Sequence, residues 1–361
     1  MGSEVCVVLG TRPEIIKLAP VIRELERRDV PFVLVHTGQH YSEELDSVFF
    51  EQLDLPEVDH NLRVGSGSHA EQTASMLTGI ESVVTDADVR TVLVQGDTNS
   101  VLAAGLVASK LDVELGHIEA GLRSFDRQMP EEINRRLVDH ASDYLFAPTE
   151  AAERQLLDEG VSPERIHVTG NTIVDAVYEH RQFARSRGGV VARFGLEPDE
   201  FALLTAHRAE NVDTPEKFEG LLDGVAQFAD ETGLDVVYPI HPRARKRLDE
   251  FGLDRPEEIQ FVDPLDYLDF LLLQTEAAIV FTDSGGVQEE SCILGVPCVT
   301  LRENTERPET LDVGSNVLAG TDPETIHERG TEMLGREPTW ENPFGDGDAA
   351  QRIVDVIWRE T

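Results

Sequence analysis

The sequence predicts an α/β protein built on two doubly wound parallel sheets. Three observations carry that expectation. Short apolar runs alternate with amphipathic stretches from end to end, the runs fall into two series, and a polar, arginine-rich stretch separates the series. The length, 361 residues, suits two domains of ordinary size.

The first series of strand candidates is 5–9, 32–36, 91–95, 113–117, 144–147 and 166–169. The second is 202–206, 235–240, 259–262, 277–281, 296–301 and 316–318. Helical stretches lie between them. One is expected over 13–28, where Pro13 suits a first helical turn. The segment between Val177 and Glu200, with Gly188 and Gly189 near its middle, reads as the interdomain connection. The expected domains are therefore 1–177 and 178–345, and ligands of parallel sheets bind beyond the C-terminal ends of the strands.

Composition narrows the function classes. The formal net charge is −38, and Lys17, Lys110, Lys217 and Lys246 are the only lysines. The acidic excess is spread along a chain rich in strand-like runs, which implies a folded, acidic, solvated surface adapted to high salt. Nucleic acid is excluded as a partner on charge. No run approaches the roughly 20 apolar residues of a membrane span. The N-terminus lacks the basic and apolar regions of a signal peptide, so a cytoplasmic location is expected. The three cysteines form no CxxC pair and the histidines do not cluster, so no metal is expected.

The most informative run is 283–290, DSGGVQEE, after the apolar run 277–281. A strand ends, Gly285 and Gly286 let the backbone approach a ligand, and a helix begins with N–H groups and a positive dipole end suited to phosphate. Ser284 lies in that turn, and Glu290 is placed to accept from ribose hydroxyls. Taken alone, such a turn also serves simply to pack a helix on a strand. Other polar clusters fall at strand ends. GTRPEIIK brings Arg12 to a helix start, where its fork suits a pyrophosphate or, more plainly, a surface carboxylate. GDT follows strand 91–95, and Asp97 there is either an acid or a helix N-cap. HIEAGLRS places Glu119 at another strand end, and PEEINR starts a helix with Glu131 and Glu132, where negative charge is favourable in any case. Carboxylates gathered together shift each other's pKa values, as acid–base work requires. In the second half His207 and His241 follow strands, and Arg307 follows the strand after the glycine turn. Arg12, His207 and Arg307 together suit a diphosphate.

The ordered set GTRPEIIK, QGDTNS, GHIEAGLRS, MPEEINR, TAHRAEN, TDSGGVQEE and TERPET, from residue 10 to about 310, resembles the non-hydrolysing UDP-N-acetylglucosamine 2-epimerases. The resemblance implies the GT-B fold, with two Rossmann-like parallel-sheet domains facing across a cleft, and a C-terminal helix within 346–361 that crosses back to the first domain. It implies Asp97, Glu119 and Glu131 as catalytic carboxylates, with His207 joining them and also serving the UDP. Arg12, Ser284, Gly285, Gly286, Glu290 and Arg307 are implied in UDP binding, and Lys17 and Arg135 fall in the matching motifs on the substrate side. The implied partner is a UDP-sugar, the expected assembly a homodimer, and no cofactor is expected.

The chemistry follows from the substrate. The C-2 proton of the sugar is not beside a carbonyl, so it becomes acidic only as UDP leaves and C-1 turns oxocarbenium-like. A carboxylate then removes it to give a glycal. Protonation of the other face and return of UDP give the 2-epimer. Bacterial members carry a second, activating substrate site, whose pattern Gln39, His40, Arg208 and His241 resemble. Ser42 and Ala209 depart from it, as does the loop 65–69, which speaks against activation by substrate. An epimerase for another UDP-2-acetamido sugar, a hydrolysing epimerase and a GT-B glycosyltransferase are the alternatives.

Overall fold

Continuous apolar runs of four or five residues become strands buried on both faces. The computed structural model describes residues 5–39 and 49–358. In the first half the strands are β1 (Val5–Leu9), β2 (Phe32–His36), β3 (His60–Asn61), β4 (Thr91–Gln95), β5 (Glu114–Ile118), β6 (Tyr144–Ala147) and β7 (Ile166–Val168). They form one parallel sheet of seven in the order β3-β2-β1-β4-β5-β6-β7. Every residue of β1 and β4 is buried, as central parallel strands covered by helices require. The two-residue edge strand β3 is exposed and has no apolar run to announce it in the sequence.

The second half supplies β8 (Phe201–Thr205), β9 (Asp235–Pro239), β10 (Ile259–Val262), β11 (Ile279–Thr282), β12 (Cys298–Thr300) and β13 (Asn316–Leu318). These also pair in parallel, in the order β10-β9-β8-β11-β12-β13. The α/β class with two parallel sheets is therefore as predicted, with six strands at the expected bounds and the other six displaced by one or two residues at an end.

The chain divides into two compact units, one running to Glu179 and resuming at Phe344, the other His180–Pro343. The boundary falls inside the helix Thr172–Arg187. In the first unit Cys6, Val8, Val33, Val35, Val92 and Val94 share one sheet face, as period-2 alternation dictates. In the second, Ala202, Leu204, Val236, Tyr238, Ile279 and Phe281 do the same against Phe218, Phe228 and Ile326. Cys6, Cys292 and Cys298 are buried free thiols. Among the described residues no helix is long and apolar enough to cross a membrane.

In each sheet the chain order reverses once, between β1 and β4 and between β8 and β11. Loops leave in opposite directions at such a point and open the C-terminal edge to a ligand. The polar motifs follow β1, β4 and β5 in one unit and β8, β9, β11 and β12 in the other.

Candidate active site

The first unit gathers its acidic motifs at the switch point. Gly10 follows β1, and an added Cβ there would collide with Thr37 Oγ1 and Ser100 Oγ, so glycine suits this position. The helix Arg12–Arg27 then begins, and Glu14 closes its capping box with Thr11. Glu14 is buried. One of its oxygens accepts from the N–H groups of Gly10 (2.7 Å) and Thr11 (2.8 Å), and the other from the Thr98 hydroxyl (2.6 Å). It thus ties the loop after β1, which carries Arg12, to the loop after β4, which carries Asp97. Burial pushes the Glu14 carboxyl up to about 7 against these bonds. Thr98, not Asp97, is the N-cap of the helix Asn99–Ala108.

Asp97 is held by the helix Pro130–Ala141. Arg135 Nη2 donates to its carboxylate at 2.6 Å, and Asn134 Nδ2 donates to its carbonyl at 2.8 Å. Positions 131, 134 and 135 lie on one helix face, so Glu131 is presented on the same side. Glu131 is half-buried, whereas Glu132 is fully buried. Glu132 accepts from Ser124 N–H (2.8 Å) and Arg136 Nε (2.9 Å), an anchor for the loop before the helix.

Glu119 directly follows β5 with φ of 68° and is buried. A non-glycine residue in the left-handed region costs of order 1 kcal/mol and recurs at functional sites. Its carboxylate accepts from Lys17 Nζ and Asn171 Nδ2 (3.0 Å) on one oxygen and from Gln95 Nε2 on the other. Lys17 therefore pairs with a carboxylate assigned to catalysis, and Arg135 does the same at Asp97. Arg12 is exposed, with its guanidinium carbon 5.4 Å from the centre of the Phe49 ring.

Beneath these residues His117 is fully buried. Its Nδ1 lies 2.6 Å from Asp139 Oδ1 and its Nε2 2.8 Å from the carbonyl of Gly96, the residue before Asp97. Both neighbours accept, so the contacts favour the doubly donating, protonated ring. Burial opposes that charge, but the charge and hydrogen bond of Asp139 outweigh it and raise the His117 pKa. Gly96 has φ of 84°, a turn suited to glycine.

In the second unit the DSGG turn follows β11. Asp283 is fully buried and accepts from His207 N–H (3.0 Å), Arg208 N–H (2.8 Å) and Asn211 Nδ2 (3.2 Å), with His207 Nδ1 at 3.2 Å. It fastens the loop after β8 to the loop after β11 and orients the His207 ring. Burial alone would raise its pKa; His207 and the two N–H groups bring it below the usual carboxylate range. Ser284 is the N-cap of the helix Gly285–Leu294 and makes no side-chain cap bond. A Cβ on Gly285 would approach nothing closer than Glu306 Oε2 at 3.9 Å, and one on Gly286 nothing closer than Ser284 Oγ at 4.0 Å. Neither glycine has positive φ. Backbone angle and internal packing thus give no reason for glycine at either position.

Glu290 is buried on the same helix. Arg307 Nε lies 2.7 Å from Glu289 Oε1, so this guanidinium is already partnered. His241 caps the helix Pro242–Phe251 through Nδ1, and its ring centre is 5.5 Å from that of His207. Burial, His207 and Arg243 lower its pKa. Arg208 and His241 thus accompany His207. Gln39, in the first unit, is bonded to Ser100 Oγ at 2.9 Å. His40 and Ser42 lie outside the described residues. Sequence reasoning assigned no role to Glu14, Gln95, His117, Asn134, Asn171 or Asp283. Five of them lie inside the quoted motifs, which was the available signal; Asn171 follows β7, where the sequence offers no motif.

The UDP-N-acetylglucosamine 2-epimerase family model matches residues 23–358. The UDP-N-acetylglucosamine 2-epimerase of Methanocaldococcus jannaschii is 50% identical over 357 residues, covering 97% of this chain and 98% of that one. The protein of the same name from Methanococcus maripaludis is 52% identical, with 98% of each chain covered. A crystal structure of the M. jannaschii enzyme in complex with UDP-GlcNAc and UDP aligns with a TM-score of 0.85, over 98% of this chain and 99% of that one. The Neisseria meningitidis enzyme bound to UDP-GlcNAc is 34% identical and aligns at 0.86, over 98% and 99% of the two chains.

Proposed function

The chain belongs to the UDP-N-acetylglucosamine 2-epimerase family, and from that premise we propose that it interconverts UDP-N-acetylglucosamine and UDP-N-acetylmannosamine by eliminating UDP and adding it back. It is an isomerase with two parallel-sheet units of the GT-B class. The observation that carries the mechanism is the set of carboxylates at the first sheet's switch point, Asp97 and the strained, triply bonded Glu119, with Glu131 on the helix that holds Asp97.

In the forward direction the C-1–oxygen bond breaks and its electron pair leaves with UDP. A carboxylate takes the C-2 proton, and the C–H pair becomes the C-1–C-2 double bond of a glycal. In the return, a second carboxylic acid protonates C-2 on the opposite face and UDP oxygen attacks C-1. Atoms and charge balance, and the two carboxyl groups regain their starting protonation by exchange with solvent water. Departure of UDP demands positive charge and N–H donors at the diphosphate, a role suited to Arg12, His207, Arg307 and the first turn of Gly285–Leu294. The Asp283–His207 contact orients the imidazole for that task. Glu290 suits the ribose hydroxyls. The donors on Glu119 fix the orientation of its carboxylate, which suits it to stabilise the cation developing at C-1.

The test is turnover of UDP-N-acetylglucosamine in heavy water, followed by NMR. Epimerised product should carry deuterium at C-2. Product retaining its original hydrogen there would reject elimination and re-addition. A relative from Pseudomonas aeruginosa, 38% identical, is a UDP-2,3-diacetamido-2,3-dideoxy-D-glucuronate 2-epimerase, so the assay includes that class of sugar. The higher identity of the Methanocaldococcus jannaschii and Methanococcus maripaludis enzymes favours the N-acetylglucosamine substrate.

A further inference from the structure

We propose that Asn171 is a positioning residue for Glu119, and that the C-terminal segment from Phe344 clamps Asn171 in place. The inference rests on the catalytic reading of Glu119 above. Asn171 follows β7, two strands away from β5, and is buried. Its amide orientation is determined by its partners: Oδ1 accepts from the N–H of Ile173 at 3.1 Å, so Nδ2 is the atom that donates to Glu119 Oε1 at 3.0 Å. The same residue thus caps the start of the helix Thr172–Arg187 and holds a carboxylate whose backbone is in a left-handed conformation.

The C-terminal segment grips this loop at successive points. Asn171 N–H donates to the carbonyl of Phe344 at 2.8 Å. Arg352 Nη1 donates to the carbonyl of Thr169 at 3.0 Å. Asp175, buried, accepts from Ala349 N–H (3.3 Å) and Ala350 N–H (2.8 Å), supplying the acceptor that the first turn of Ala349–Ile357 needs. The approach is close enough that a Cβ on Gly345, which has φ of 121°, would stand 3.2 Å from Gly170 Cα. Residues some 170 positions downstream therefore set the place of Asn171, and through it the place of Glu119.

Two variants test this. Asn171→Ser keeps a cap for Ile173 N–H but is too short to reach Glu119. Gly345→Ala pushes the C-terminal segment from Gly170 without touching the carboxylate cluster. Each is made alone and with Glu119→Gln, and kcat and KM are measured with UDP-N-acetylglucosamine. Asn171→Ser should lower kcat about 10- to 100-fold, the scale of a misplaced catalytic group, with KM within about twofold of wild type. Gly345→Ala should lower kcat about 3- to 10-fold by the same route. In the Glu119→Gln background both effects should shrink to about twofold or less, because each acts through Glu119. Equal losses in both backgrounds, or an unchanged kcat in Asn171→Ser, would overturn the positioning role. An unchanged kcat in Gly345→Ala alone would overturn the clamp. A wild-type protein without epimerase activity would instead reject the function. A cycle of unfolding free energies on the pair Asn171 and Glu119 then decides the bond without reference to turnover, with additivity counting against it.

Discussion

Replacing Glu14 by glutamine should leave the protein as stable as wild type near pH 5 and make it more stable at pH 8. Burial raises this carboxyl from its ordinary 4.5 to about 7. The folded state therefore holds the proton more tightly than the unfolded chain. The stabilisation linked to protonated Glu14 is complete below about pH 4.5 and is lost as pH rises through about 7. A displacement of that size corresponds to about 3 kcal/mol. Glutamine avoids the ionisation and keeps the contacts: its oxygen takes the N–H groups of Gly10 and Thr11, and its amide donates to Thr98 Oγ1, which has lone pairs to receive it. The assay is urea unfolding of both proteins from pH 5 to 8 at constant high salt, reading the transition of the first unit. The difference between variant and wild type should grow by about 2.5 kcal/mol across that range in favour of glutamine. Glu14→Ala should be worse at every pH, since it strands a buried N–H at Gly10, at about 1–3 kcal/mol, and loosens the loop bearing Arg12 from the loop bearing Asp97. A glutamine variant less stable than wild type at pH 8 would show that the three hydrogen bonds, not burial, set the ionisation of Glu14.

Asp97→Asn, Glu119→Gln and Glu131→Gln should each reduce turnover about a hundredfold or more with the fold retained, as expected for loss of a proton-transfer group; near-normal rates in all three would remove them from the chemistry. Arg12→Ala and His207→Ala should each weaken UDP binding by about 1.5–3 kcal/mol in calorimetry. Arg307→Ala should cost less, because that guanidinium already serves Glu289; equal UDP affinity in all three variants would place the diphosphate elsewhere. The melting temperature should rise from low to molar potassium chloride, because the net charge of −38 repels itself until the Debye length falls from about 30 Å at 0.01 M to about 3 Å at 1 M. A flat or falling melting temperature would reject the high-salt reading.

The strands were legible where burial on both faces writes a continuous apolar run, as in β1, β4 and β8. They were not legible where pairing alone makes the strand, as at His60–Asn61. Within the site, local signals carried local roles. Thr11 and Glu14 stand at capping-box spacing, and the glycines of DSGG open a helix. Asp97 shows the limit: sequence allowed it to be a cap or an acid, and the neighbouring Thr98 takes the cap.

What sequence could not supply is the company each carboxylate keeps. The three donors on Glu119 come from the helix after β1, the end of β4 and the loop after β7. Lys17 stands 102 residues from its partner and Asn171 stands 52. No periodicity relates such positions; only the strand order, which reverses at β1 and β4, brings their C-terminal ends to one edge. For the same reason the sequence places Lys17 and Arg135 in motifs on the substrate side without showing their partners, Glu119 and Asp97. In a chain with few lysines and an overwhelming acidic excess, a cation committed to a site carboxylate is one withheld from the surface. Two of the site's three assigned carboxylates are matched in this way, so the charge of the acidic cluster is already partly neutralised from within the first unit.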